Sequence, residues 1–289
     1  MVVSFTILWA GIPSHYHRWL APNEEEAQSF SLPTWSNLTI FPGGRQDPEI
    51  LKLEAASSPE WFQERYGGIP CPPRGLVFGE FRNEIHTGLG GKFSFEPDIP
   101  VQLWVDPGFQ HYYAVLVVQK KGEDVYVVDE IYEKGLVTSE MVIVAKQKPW
   151  FNKVTGGAID VSGTFHQGMS APAAEIWLNE GKVFLQSQKI KISDGIERVK
   201  SCLLVNPITN RPRLFINARC RGLISEMGGC VNPQSERQEV YSWKMDKDGN
   251  VLGDAPKDEH NDACKALAYG LINMLGYTES AKKPTTVYY

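Results

Sequence analysis

Apolar runs separated by short turns occupy the middle of this chain and predict three consecutive β-strands. The runs are Val101–Asp106, residues 112–119 and residues 125–132, and the turns are Pro107-Gly108 and Lys121-Gly122-Glu123-Asp124. Strands that are joined by such short turns pair in an antiparallel manner. The pattern therefore predicts a three-strand antiparallel meander.

After residue 135 the pattern alternates between helices and single strands. Helices are predicted from Thr138 onward and at residues 171–179, 193–204, 220–227 and 260–275. Strands are predicted at residues 156–160, 183–186, 211–216 and 241–245. The order β-β-β-α-β-α-β-α predicts an α/β fold whose mixed central sheet combines the meander with parallel strands and is flanked by helices. This layout resembles the RNase H-like fold.

The first quarter of the chain has a different character. One strand is predicted at residues 4–10 and helices at residues 48–56 and 58–66, followed by the Pro-rich stretch 70–75, which is typical of a linker. We therefore divide the chain into residues 1–75, a main domain at 76–277 and a loose C-terminal tail at 278–289.

Composition narrows the class of protein. The chain has 289 residues, 42% of them hydrophobic, which is enough for a full core. No run of about 18 apolar residues occurs, so neither a transmembrane helix nor a membrane partner is expected. The five cysteines include no C-x-x-C pair, and reduced thiols are expected. The net charge of −5 argues against a protein that coats itself in nucleic acid, yet a nuclease needs only a local basic face.

Three acids carry the candidate chemistry. Asp106 and Asp160 each end a predicted strand, and Asp262 opens the last predicted helix. Each has an ordinary alternative: Asp106, before Pro-Gly, could initiate a turn, Asp160 could cap a helix or a turn, and Asp262 could cap the helix that it opens. If the three converge, their repulsion requires a cation, and hard divalent ions such as Mg²⁺ and Mn²⁺ prefer carboxylate oxygens. Two such ions can support phosphodiester hydrolysis.

Several further residues are candidates for supporting roles. Glu130, at the end of the third predicted strand, could contact the metal ligands or occasionally bind the metal itself, or it could face solvent. His260 could orient water, and Lys265, one turn beyond Asp262, could contact a phosphate. Cations that could form a local basic face are Lys189, Lys191, Arg198, Lys200, Arg211, Arg213, Arg219 and Arg221. Among these, Lys200, Arg211 and Arg213 are predicted to lie on a hairpin at the cleft edge and to guide DNA.

One segment is similar to part of an ATP-binding site. Val125-Tyr126-Val127-Val128-Asp129-Glu130 has the pattern of a Walker B strand, but a Walker B strand requires a phosphate-binding loop. No G-x-x-x-x-G-K-[ST] sequence occurs, so ATPase activity is not expected from this chain.

The chain resembles the nuclease domain of the large terminase subunit of tailed bacteriophages. The resemblance rests on the segments Gly75-Leu76-Val77-Phe78, Leu103-Trp104-Val105-Asp106-Pro107-Gly108, Val128-Asp129-Glu130-Ile131-Tyr132, Gly157-Ala158-Ile159-Asp160 and His260-Asn261-Asp262-Ala263. It implies a DNA endonuclease that binds two Mg²⁺ or Mn²⁺ ions through Asp106, Asp160 and Asp262. Asn261 stands where some members carry a further acid, next to the metal ligands.

The same resemblance extends, through fewer residues, to the end of the packaging ATPase. Phe5-Thr6-Ile7-Leu8-Trp9, Trp35-Ser36-Asn37 and Asp47-Pro48-Glu49-Ile50 carry it, so residues 1–75 are expected to be a remnant of that domain or a linker. The implied partners are double-stranded DNA, the portal protein and the small terminase subunit. The implied location is the host cytoplasm, with transient binding to the procapsid. The alternatives are another RNase H-like nuclease, of the junction-resolvase or transposase type, and a non-catalytic packaging scaffold.

Overall fold

The computed structural model describes residues 32–57, 62, 63, 65–68, 75–88, 93–165, 171–246 and 251–278. The described chain divides into two compact units, one within Met1–Arg74 and Cys230–Gln238, the other within Gly75–Gly229 and Glu239–Tyr289. The strand predicted at residues 4–10, part of the helix predicted at 58–66 and nearly all of the tail lie outside the described residues.

Seven strands of the larger unit form one mixed sheet. They are β1 (Thr87–Gly88), β2 (Val101–Asp106), β3 (Tyr112–Lys121), β4 (Asp124–Lys134), β5 (Val154–Ile159), β6 (Leu185–Gln186) and β7 (Leu214–Asn217). Their order across the sheet is β1-β7-β4-β3-β2-β5-β6. β2, β3 and β4 form the predicted antiparallel meander, and all other neighbours are parallel. This confirms the α/β, RNase H-like arrangement.

Helices cover both faces of this sheet. They are α2 (Asn83–His86), α3 (Thr138–Lys146), α4 (Ala173–Asn179), α5 (Ile192–Leu203), α6 (Arg221–Glu226) and α7 (Asp262–Leu275), while α1 (Pro48–Ala55) belongs to the smaller unit. Met141 of α3 and Trp177 of α4 pack on one face with Leu103 and Val105 of β2. α7 packs on the opposite face, against β2 and β3. Burial on both faces explains why the central strands are continuous apolar runs.

The structure differs from the predicted pattern in several places. β4 continues two residues beyond its predicted end at residue 132, to Lys134, and the strands predicted at 183–186 and 211–216 are shorter or shifted. A two-stranded sheet joins β8 (Trp243–Met245) to β9 (Val251–Pro256), and no sequence pattern predicts β9. Among the described helices, none combines the length and the apolar character that a membrane span requires.

Candidate functional site

Asp106 and Asp160 lie side by side because their strands are parallel neighbours in the sheet. Val105 of β2 pairs with Ile159 of β5, and the backbone N–H of Asp160 donates to the carbonyl of Val105 at 2.9 Å. The two chains leave the sheet at the same edge, at Asp106 and just before Asp160. This is the convergence that the predicted topology required.

α7 brings Asp262 to the same edge. The helix packs closely on β2, because Gly270 lets the Trp104 ring approach its backbone. Asp262 is its first residue, and the Asp262 carboxylate accepts a hydrogen bond from the backbone N–H of Tyr112, where β3 begins. Tyr112 lies two residues before Ala114, the cross-strand partner of Asp106. The three predicted acids are therefore in one neighbourhood.

All three acids are buried and influence one another electrostatically. Their exposed fractions are 6%, 8% and 9% for Asp106, Asp160 and Asp262. Burial raises the pKa of the Asp106 carboxyl well above its usual range, and the charges of Asp160, Asp262 and Glu226 raise that pKa further. Burial also raises the pKa of Asp262, while Lys265 and His111 act in the opposite direction. The site is thus a buried cluster of like charges.

The chemistry of this cluster fits a hard divalent cation. The Asp106 carboxylate is buried beside the charges of Asp160 and Asp262. Oxygen donors that repel one another gain most from a bound divalent charge. In the described part of the chain, however, no three His, Cys, Asp or Glu side chains are already placed to hold one ion. Side-chain movement would have to complete a coordination sphere.

Two polar side chains of α7 reach the acids. Burial raises the pKa of the Tyr269 hydroxyl, and the hydrogen bond that this hydroxyl donates to the Asp160 carboxylate raises the same pKa further. Lys265 bonds the exposed Asp258 carboxylate at 2.7 Å. Burial alone would lower the pKa of Lys265, but this bond and the charges of Asp106 and Asp262 raise it overall. Contact between Lys265 and a phosphate stays a prediction.

The other predicted supporting residues form their contacts with groups other than the three acids. Glu130 accepts from the N–H groups of Gly222 at 2.6 Å and Leu223 at 3.1 Å, so its carboxylate caps α6. Burial raises the pKa of Glu130 to about 7. The Asn261 amide bonds Asp258 at 3.1 Å, and His260 Nδ1 lies 3.6 Å from Glu239. Whether any of the three assists metal binding stays a prediction.

Two of the three predicted DNA-guiding cations, Arg211 and Arg213, lie far from the acids. Arg211 pairs with Asp124 at 3.2 Å, Arg213 pairs with Glu123 at 2.7 Å, and Lys200 lies 3.4 Å from Glu80. A bridge between Asn206 and Arg211 forms the predicted hairpin. Asp124 pairs with the last residue of β3, seven residues beyond the cross-strand partner of Asp106, or about 23 Å along an extended strand.

This distance corrects the expected position of the hairpin. It is not at the edge of the acid cluster, because the β3–β4 turn that holds its arginines is at the opposite end of the sheet. DNA binding by Lys200, Arg211 and Arg213 stays a prediction, but Arg211 and Arg213 are too far from the acids to contact the same nucleotide. Lys189 and Lys191, both exposed, flank the pocket residue Ile190 and are nearer to the site.

A cavity of about 230 Å³ opens beside Asp160. Its polar lining includes Asp258, Lys265 and Tyr269. The rest of the lining is mainly apolar and comprises Phe78, Ile190, Ile192, Gly195, Ile196, Tyr241, Cys264 and Ala268. Asp160 is therefore reached from the side on which α5 begins.

Sequence reasoning missed a fourth acid. Glu226 is the last residue of α6, has no exposed surface and bonds the Tyr132 hydroxyl at 3.0 Å. The helix that contains Glu226 was predicted, but the direction of this side chain was not. The only available signal was a single charged residue shortly after the apolar pair Leu223-Ile224.

Comparison with solved structures identifies the fold. The large terminase of a thermophilic bacteriophage aligns with 78% of this chain at a TM-score of 0.51 and 16% sequence identity. The chain has a large-terminase fold. This confirms the predicted resemblance at the level of the fold. The alignment covers 52% of the thermophilic-phage protein, so this chain spans about half the length of that large terminase.

Two isolated nuclease domains of large terminases are also similar to this chain. The domain from phage P22 aligns with 70% of the chain and 93% of its own length, at 14% identity and a TM-score of 0.47. The domain from bacteriophage SPP1, solved with bound Mn, aligns with 69% of the chain and 99% of its own length, at 11% identity and a TM-score of 0.43. No protein-family model and no curated protein matches the sequence. The large-terminase fold therefore rests on the alignment with the thermophilic-phage protein.

Proposed function

We propose that this chain is a metal-dependent DNA endonuclease of a phage large terminase, which cuts concatemeric viral DNA during genome packaging. The observation that carries the proposal is the meeting of Asp106, Asp160 and Asp262 at one edge of the sheet. Buried acids that repel one another destabilise the folded state, so such a cluster commonly marks a functional site. The function that best fits these carboxylate oxygens is the binding of divalent metal ions.

Each acid has a distinct place in this proposal. Asp106 is the central ligand and would contact both ions, since the charges of Asp160 and Asp262 both act on its carboxylate. Asp160 and Asp262 would each complete the shell of one ion. Two bound Mg²⁺ or Mn²⁺ ions would supply an activated water and stabilise the leaving 3′ oxygen. The metal-free carboxylates have to turn toward each other before three of them can share ions.

The surrounding residues then orient these ligands and the DNA. Tyr269 holds the Asp160 carboxylate through its hydrogen bond. Lys265 is positioned to exchange its bond with the exposed Asp258 for a bond to a DNA phosphate. Lys189 and Lys191 lie beside the cavity and would contact the phosphate backbone, so DNA binding should be salt-sensitive and tolerant of sequence. The portal protein and the small terminase subunit are the proposed partners, and the proposed location is the host cytoplasm with transient binding to the procapsid.

Cutting of supercoiled plasmid in the presence of Mn²⁺ tests the proposal. Asp160→Asn keeps the carbonyl oxygen that accepts from the Ser162 N–H, so its fold should be retained. It removes a metal ligand, and we expect nicking and linearisation to fall by about 10³-fold or more. The control is Asp124→Asn, which removes an acid at the opposite end of the sheet and should cut like wild type.

The same assay separates the alternatives. Equal cutting by wild type and Asp160→Asn would assign the activity to a contaminant and contradict the proposal. A strong preference for four-way junctions over linear duplex would indicate a junction resolvase. A folded chain that binds DNA without any Mn²⁺-dependent or Mg²⁺-dependent cutting would support a packaging scaffold.

A further inference from the structure

Glu226 joins α6 to the first turn of α7 through its buried carboxylate. One oxygen accepts from the Ala263 N–H at 3.1 Å and from the Tyr132 hydroxyl at 3.0 Å, and the other accepts from the Cys264 N–H at 2.8 Å. The first N–H groups of a helix have no partner within the helix. A glutamate from another helix therefore caps the helix that carries Asp262.

No residue next to α7 provides this cap. Asn261 occupies the N-cap position, but its side chain makes no capping bond and its amide donates to Asp258. His260, just before it, has a positive φ of 53°, so the chain turns sharply into the helix. The direction of the first turn of α7 thus depends on Glu226, and Asp262 is the first residue of that turn.

Ionising an acid at this buried position costs free energy. Burial and the nearby charge of Asp262 raise the pKa of Glu226 to about 8. Helices are ordinarily capped by a local Ser, Thr, Asp or Asn, close to the helix end that it serves. A carboxylate offers two acceptor oxygens at once, so it can hold two successive N–H groups and a hydroxyl from the sheet in one fixed geometry.

We infer that Glu226 is a positioning residue of the nuclease, which fixes Asp262 against Asp106 by tying the start of α7 to α6 and, through Tyr132, to β4. The inference rests on the proposed function and adds a residue that does not itself contact DNA or metal. Tyr132 is suited to the connection, because it is the cross-strand neighbour of Ala114, which pairs with Asp106. Partners of metal ligands typically change metal affinity by about 10–100-fold when they are removed.

The test compares Glu226→Gln with wild type in direct Mn²⁺ binding, measured by the electron paramagnetic resonance signal of free Mn²⁺. Gln keeps the size of the side chain but replaces one acceptor oxygen with an NH₂ group that cannot bond a helix N–H. We expect Mn²⁺ affinity to fall by about 10–100-fold. Plasmid cutting should fall in parallel at low Mn²⁺ and recover at high Mn²⁺, because all three ligands remain. Asp262→Asn should not recover.

A matched control separates positioning from general loss of stability. Asp47 is also a buried carboxylate that caps a helix, because it accepts from the N–H of Glu49 at the start of α1, in the smaller unit. Asp47→Asn should lower the urea midpoint without changing Mn²⁺ affinity. If Glu226→Gln does not fold, Tyr132→Phe removes only the link to β4 and should still weaken Mn²⁺ binding by severalfold.

Each outcome decides between the two claims. Wild-type Mn²⁺ affinity in folded Glu226→Gln, or in Tyr132→Phe where only that variant folds, would overturn the inference and leave the proposed nuclease intact. A wild-type protein that neither binds Mn²⁺ nor cuts DNA would overturn the proposed function, and the inference with it. Both the inference and the proposed function are supported if Glu226→Gln binds Mn²⁺ weakly but regains full cutting in excess Mn²⁺, while Asp262→Asn does not.

Discussion

Replacing Asp106 with asparagine is expected to abolish DNA cutting and, at the same time, to stabilise the metal-free protein. Asp106 is buried, and burial together with Asp160, Asp262 and Glu226 raises its pKa well above its usual range. When folding raises the pKa of an acid, the folded state becomes less stable as the pH rises from the pKa of the unfolded state toward the higher pKa of the folded state. Asparagine carries no charge and relieves that repulsion at neutral pH.

We expect the free energy of unfolding to increase at pH 7.5 in the presence of a chelator. Mn²⁺ should raise the melting temperature of wild type, because an ion that binds only the folded state stabilises it. It should not do so for Asp106→Asn, and plasmid cutting should fall by at least about 10³-fold. Differential scanning fluorimetry with and without Mn²⁺ measures the stability effects, and the plasmid assay measures the loss of cutting.

The control for this experiment is again Asp124→Asn. Asp124 faces Arg211 and has no part in the acid cluster, so its replacement should not raise stability and should leave the Mn²⁺ shift unchanged. A metal-free Asp106→Asn protein that melts well below wild type would mean that the Asp106 charge is already compensated within the fold. That result would contradict the metal-site account.

The second large effect is expected at Gly270, where α7 meets the sheet. A Cβ atom at this position would lie 1.8 Å from the Trp104 ring, which is fully buried. Gly→Ala inside a helix ordinarily stabilises a protein by about 1 kcal/mol. Here the clash reverses the sign, and we expect Gly270→Ala to lower the free energy of unfolding by about 3 kcal/mol or more.

Activity should respond as well, since α7 carries Asp262 at one end and cannot move away from Trp104 without shifting that carboxylate. Stability in urea and Mn²⁺ binding should therefore both be impaired. Gly79→Ala is the matched control, because a Cβ atom there meets nothing within 4 Å. A Gly270→Ala protein as stable as wild type would show that α7 does not pack on β2 as described.

The central strands could be predicted because each one leaves a signal in its own stretch of sequence. β2, β3 and β4 are buried on both faces and joined by short turns, so each is a continuous apolar run between polar breaks. Parallel β2 and β5 then place Asp106 and Asp160 together by topology alone. β9 escaped prediction because its six residues carry no alternating or continuous apolar pattern and become a strand through pairing with β8.

The candidate site was only partly predictable, for a related reason. The positions of Asp106, Asp160 and Asp262 at element ends could be read from the sequence. The role of Glu226 depends on the packing of two helices whose bonded residues are 37 positions apart, which fixes the direction of one side chain. The same applies to Arg211 and Arg213, because sheet register, and no local signal, places them beside Asp124 and Glu123.

The most direct test of the account is anomalous X-ray scattering from crystals of this protein grown with Mn²⁺. We expect anomalous peaks between the carboxylates of Asp106, Asp160 and Asp262, at most about 4 Å apart if two ions bind. Crystals of Asp106→Asn grown in the same way should lack these peaks. Peaks elsewhere on the chain, with none between these three acids at saturating Mn²⁺, would contradict it.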